Sequence, residues 1–185
     1  PAGDYFCEAP LVIHNNVTFE GDGQAHISGA TIPATTITDG RVDPATPFLV
    51  FGPDALGLPT SRGCNFRYLE FSFPSDGKTD YSILIDGTTG PIFNNCKFVW
   101  ANDGAGHPTG NPLTDPGGIR HLAFEGVSYI DCTFHYGTVQ LSFEGSGAGG
   151  PLNLVRCTFY DCNSYWIQCD SNGDHDYTIR GCMFD

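Results

Sequence analysis

A Cys-x-Phe element recurs five times along this chain, as Cys64-Asn65-Phe66, Cys96-Lys97-Phe98, Cys132-Thr133-Phe134, Cys157-Thr158-Phe159 and Cys182-Met183-Phe184. From Cys132 to Cys157 and from Cys157 to Cys182 the interval is the same 25 residues. A fixed period of this length marks a solenoid, in which each repeat buries its apolar face against the next. The residue before each Cys is Gly63, Asn95, Asp131, Arg156 or Gly181. Gly, Asn and Asp tolerate left-handed backbone, so a sharp bend is expected ahead of each copy.

Two further elements interleave with the first. One reads Val17-Thr18-Phe19-Glu20-Gly21, Ile83-Leu84-Ile85-Asp86-Gly87, Leu122-Ala123-Phe124-Glu125-Gly126 and Leu141-Ser142-Phe143-Glu144-Gly145, with a weaker copy at Ile167-Gln168-Cys169-Asp170-Ser171. The other is a short apolar stretch, seen at Pro91-Ile92-Phe93, Ser128-Tyr129-Ile130, Leu152-Asn153-Leu154-Val155 and Tyr177-Thr178-Ile179. Three short strands and three turns in about 25 residues make one coil of an all-β, right-handed parallel β-helix, or β-solenoid. With 24 Gly, 13 Pro and one Met, the composition suits turns better than helices. A sandwich or jelly roll also uses short strands, but does not require identical residues at one register.

The chain reads as one domain, residues 1–185, with a first coil at 1–23, irregular early coils at 24–60, and regular coils at 61–185 interrupted by a long loop at 101–118. It opens on Pro1 without Met and closes on Phe184-Asp185 inside an expected strand, so a fragment truncated at both ends is expected. No apolar run reaches the roughly 20 residues of a membrane span, so membrane insertion is not expected. The formal charge of −13, from 21 acids and 8 bases, disfavours nucleic acid and anionic membranes as partners. Neutral glycans remain compatible with it. A polyanionic glycan needs a bridging cation or a local basic patch.

The opening Pro1-Ala2-Gly3-x-Tyr5, then Pro10-Leu11-Val12-Ile13 and Asn16-Val17-Thr18-Phe19-Glu20-Gly21-Asp22-Gly23, resembles the first coil of pectate-lyase-like β-helix proteins, a superfamily that includes bacteriophage tailspikes. The later coils resemble its parallel β-helix repeats, and the likeness covers most of the chain outside residues 24–60. The resemblance implies a protein that binds or degrades polysaccharide or a cell-surface glycan on a groove along the coils, as a glycoside hydrolase or polysaccharide lyase. It also admits a tailspike-like or adhesive shaft, extracellular or virion-associated and assembled as a homotrimer. The competing class is a non-catalytic structural module, since fold alone does not choose. The Asn-Thr-Asp, Asp-Asp and Gly-His-Gly signatures of the polygalacturonase type are absent.

Period-two alternation points the fourth residue of the second element outward. Asp86, Glu125, Glu144 and Asp170 are therefore expected in one column, with neighbours about 4.8 Å apart. Carboxylates that close cannot ionise independently, so one would keep its proton, and the spacing suits a retaining glycosidase pair. Glu125, Glu144 and Asp170 are the catalytic candidates on that reading. An acid before Gly is equally a solvated strand-to-turn residue. A column of carboxylates also suits Ca²⁺, the one cofactor the sequence suggests. Trp100, His107 in the 101–118 loop, and Trp166, expected to point outward, offer contacts to a sugar. Arg120 and His121 are expected beside the acids, as substrate contacts or as members of a surface ion pair. The loop reads as a groove wall, or as decoration or a subunit contact. Of the eight cysteines, the five of the Cys-x-Phe column and Cys169, in another inward column, fit small buried hydrophobes; mostly free thiols are expected, because parallel Cβ vectors make poor disulfides, and no CxxC motif suggests zinc.

Overall fold

The computed structural model describes residues 2–13, 17–25, 31–41, 46–52, 63–74, 81–88, 90–101, 117–124, 126–144, 150–169 and 176–185. These residues form a right-handed parallel β-helix of three sheets, plus an antiparallel ribbon of Gly23–Ala25 and Thr31–Pro33. Sheet I stacks Leu11–Ile13, Leu49–Phe51, Ile83–Thr88, Ile119–Phe124, Val139–Phe143 and Tyr165–Cys169 in that order. Sheet II stacks Thr18–Glu20, Asn65–Arg67, Ile92–Asn94, Val127–Ile130, Leu152–Val155 and Tyr177–Arg180. Sheet III stacks Gly3–Cys7, Thr35–Asp39, Leu69–Phe73, Lys97–Trp100, Thr133–His135, Thr158–Tyr160 and Met183–Phe184. The chain runs through sheets I, II and III in turn, and each strand pairs in parallel with its equivalent one coil away.

In-register pairing turns the repeated Phe into ladders. On sheet III, Phe71, Phe98, Phe134, Phe159 and Phe184 stack face to face, with successive centroids 5.4, 5.1, 4.7 and 4.9 Å apart. On sheet II, Phe19, Phe66, Phe93 and Tyr129 do the same at 5.1, 5.0 and 5.1 Å. The two ladders meet edge to face, as at Phe93 and Phe98. Each such contact adds about 0.5–1.5 kcal/mol beyond the area it buries.

One residue makes the corner between sheets II and III. Tyr68, Asn95, Asp131, Arg156 and Gly181 all occupy it in left-handed backbone, with φ of 57°, 51°, 52°, 53° and 63°. Arg156 does so although its residue type does not favour it, and a bidentate ion pair to Asp131 of the neighbouring coil (both contacts 2.6 Å) holds its side chain outward. The Cys that follows the bend explains the recurrence of the motif. The thiols of Cys96, Cys132, Cys157 and Cys182 donate to the carbonyls of Phe66, Phe93, Tyr129 and Leu154, at 3.3 to 3.5 Å. A side chain small and apolar enough for the lumen thus still supplies a donor to the backbone of the previous coil. All eight cysteines are free thiols, and burial pushes that of Cys132 well above its ordinary value.

Two copies of the motifs sit on a different sheet from the one their neighbours imply. Asn65–Arg67, after Cys64, lies in sheet II and pairs with Ile92–Asn94, while Leu69 takes the place of Cys in that coil of sheet III. Val17-Thr18-Phe19 likewise belongs to sheet II, not to sheet I. Replacing Phe134 by Ala, in the middle of its ladder, should cost about 3–5 kcal/mol. Urea unfolding followed by circular dichroism measures this, and a loss below about 1 kcal/mol contradicts the packing described.

Candidate functional site

The outer surface of sheet I brings together one polar cluster from three successive coils. Arg120 and Ser142 pair across adjacent strands. Alternation sends both outward and places Glu144, two residues after Ser142, on the same side. Tyr81 reaches in from the corner that leads into Ile83–Thr88. The Glu144 carboxylate accepts the Tyr81 hydroxyl at 2.9 Å and the Ser142 hydroxyl at 2.6 Å on Oε1. On Oε2 it accepts Arg120 Nε at 3.0 Å and Nη2 at 2.8 Å. The Arg120 guanidinium also lies over the Tyr81 ring, 5.5 Å from its centroid. The side chains of Arg120 and Glu144 are 33% and 23% exposed, so an edge of this pair meets solvent.

Burial alone would raise the Glu144 pKa, but donors from Ser142, Tyr81 and Arg120 outweigh it and hold the carboxyl below its ordinary value. Burial pushes the Tyr81 phenol up to about 12. The cluster is therefore an ionised carboxylate ringed by donors. It has the chemistry of hydrogen-bonded recognition and offers no carboxylic acid ready to give up a proton.

The register of these strands differs from the one that the look-alike motif implies. His121 pairs with Phe143 and its carbonyl accepts the Glu144 amide at 2.9 Å, so the residues matching Ile83-Leu84-Ile85 are Ile119-Arg120-His121, three positions before the look-alike Leu122-Ala123-Phe124. Asp86 accordingly stands opposite Ala123, beyond a bulge. The backbone around Gly118 contributes to this register. Its carbonyl accepts the amides of Ser82 and Ile83 at 3.0 and 3.1 Å, and a Cβ there would come within 1.9 Å of the Val139 carbonyl oxygen. Glu125, Asp170 and His107 lie outside the described residues, as does nearly all of the 101–118 loop.

The remaining expected contacts divide between core and surface. Trp100 is buried: its ring stacks on Phe73 at 5.7 Å and its Nε1 donates to Ser82 Oγ at 3.1 Å, which removes it from any sugar. His121 points into the lumen and is fully buried, so it too makes no substrate contact. Trp166 is 38% exposed, with its ring leaning on Phe184 at 5.5 Å. Tyr81 and Ser142 belong to the cluster although sequence reasoning did not single them out. Ser142 was findable, since it precedes Glu144 by two on an alternating strand. Tyr81 was not, because it arrives from a neighbouring coil's corner.

Elsewhere on the surface, Lys97 pairs with Glu70 at 3.0 Å, and the His135 ring stacks on Tyr160 at 4.7 Å. No three metal-ligating side chains converge among the described residues. Comparison with family models, curated proteins and solved structures finds no match to this chain.

Two pH dependences follow. The folded pKa of Glu144 is below its unfolded one, so its contribution is complete above the ordinary carboxylate value and is lost as pH falls through the folded value. Glu144→Gln should lower the melting temperature at pH 7, with the difference from the parent shrinking on acidification; a constant difference contradicts the network. His135 acts with the same sign, over a higher pH window. Burial first, then the Lys97 charge, lowers it from 6.5 to about 4, so the unfolded chain binds a proton that the folded one does not between those values. Stability falls with acid there, and His135→Phe should remove one proton from that slope, as measured by melting temperature against pH.

Proposed function

We propose that this chain is a carbohydrate-recognising β-helix of the pectate-lyase-like kind, binding a polysaccharide or cell-surface glycan on the outer face of sheet I. The observation that carries the reading is the partly exposed Arg120–Glu144 pair, assembled across two coils and backed by Tyr81 and Ser142. A planar guanidinium beside a carboxylate presents donors and acceptors side by side, the arrangement that matches neighbouring sugar hydroxyls. The charge of −13 favours a neutral glycan over an anionic one. Glu144, held ionised and ringed by donors, is not placed to serve as a general acid, which favours recognition over cleavage. The first-coil resemblance extends the proposal to an extracellular or virion-borne adhesin, with a homotrimer as its natural assembly.

A second reading is a non-catalytic structural module, since the fold alone does not choose between them.

A panel of neutral and uronate-containing glycans, probed with and without Ca²⁺, separates these readings. Binding to a neutral glycan, weakened at least tenfold by Arg120→Ala and by Glu144→Gln without new reducing ends, is the expected result. No binding across the panel overturns the glycan reading, and release of reducing ends or unsaturated uronates that depends on Glu144 overturns its non-catalytic form.

A further inference from the structure

Behind the polar cluster, on the lumen side of the same strand, lies a second polar group that the cluster itself does not explain. His121 occupies an inward column whose neighbours in the adjacent coils are Ile85 and Phe143, and its ring stacks on that of Phe143 at 4.2 Å. An aliphatic or aromatic side chain would fill this place without any polar atom to satisfy. Instead both ring nitrogens are used. Nδ1 lies 2.8 Å from the Ser142 carbonyl, and Nε2 lies 2.8 Å from the hydroxyl of Tyr129. A carbonyl only accepts, so Nδ1 carries the hydrogen and Nε2 accepts from the phenol. Tyr129 belongs to the ladder of sheet II, where its equivalent one coil earlier is Phe93. The hydroxyl is the one feature that distinguishes it from that Phe, and its partner is His121.

The two hydrogen bonds act on the site. Ser142, whose carbonyl His121 holds, donates its hydroxyl to Glu144. The Glu144 amide bonds the His121 carbonyl, and Arg120 is the preceding residue. The in-register ladder between the coils of Arg120 and Ser142 ends at the His121–Phe143 pair, one residue before Glu144, so this is the last pair that holds their register ahead of the site.

We propose that His121 and Tyr129 are positioning residues, a hydrogen-bonded tie across the lumen that holds the strands of Arg120 and Ser142–Glu144 in the register the surface cluster needs. The part that concerns glycan rests on the function proposed above; the part that concerns Glu144 geometry does not. The tie joins sheets I and II through the core, and it fixes both carriers of the Arg120–Glu144 pair from behind. Removing it leaves the fold in place and loosens the site.

The test uses the whole chain and the paired substitution His121→Phe with Tyr129→Phe. This replaces both polar groups with rings that continue existing stacks and leaves neither orphaned. Two readouts are taken: the titration of the Glu144 carboxyl by carbon-detected NMR, and affinity for whichever panel glycan the parent protein binds. The expected result is a folded protein whose Glu144 titrates closer to its ordinary value and whose glycan affinity is at least tenfold weaker. His121→Gln, which can still donate to Ser142 and accept from Tyr129, should recover both. An unchanged Glu144 titration in the paired variant overturns the proposal. Should that variant not fold, Tyr129→Phe alone gives the same two outcomes, with an unchanged titration again deciding against it. A parent protein that binds no glycan sinks the proposed function, while the Glu144 titration still decides the tie.

Discussion

Parallel pairing of each strand with its equivalent one coil away, at a spacing of about 4.8 Å, is the constraint on which the other contacts depend. Because the pairing is in register, any residue type repeated at the coil period becomes a column. Phe becomes a stacked ladder, Cys becomes a row of thiols that donate to the previous coil, and the bend residue becomes a continuous left-handed corner. A slip of one residue would turn every inward side chain outward, so the ladders and the register support one another.

The same constraint builds the surface site. Arg120 and Glu144 are 24 residues apart in sequence. They meet because Arg120 stands beside Ser142, and Glu144 follows Ser142 on the same face. Tyr81 joins from a third coil. A cluster gathered in this way carries no local motif, and its chemistry follows from neighbours: the donors around Glu144 outweigh its burial and keep it charged. A charged carboxylate ringed by donors is the feature on which the proposed recognition function rests.

The architecture was legible in the sequence because its signal is repeated. Five copies of Cys-x-Phe, most at one period, identify the solenoid even though one of them, after Cys64, belongs to sheet II. The site was less legible because it depends on register between coils, and register is decided at a distance. Leu122-Ala123-Phe124-Glu125-Gly126 looks locally like Leu141-Ser142-Phe143-Glu144-Gly145, yet the backbone fit at Gly118 and the bulge after His121 make Ile119-Arg120-His121 the true equivalent. His121 and Trp100 read as surface residues for a related reason. Their polar atoms find partners inside, in Tyr129 and Ser142 for one and Ser82 for the other, and no alternation rule announces a buried partner.

The central claim is that register, with His121 opposite Phe143, assembles the Arg120–Glu144 site. Backbone nuclear Overhauser contacts between sheet I strands measure it directly. The account predicts contacts linking Ile119 to Leu141 and His121 to Phe143. Contacts linking Leu122 to Leu141 and Phe124 to Phe143 instead would contradict it, since Arg120 would then lie away from Glu144.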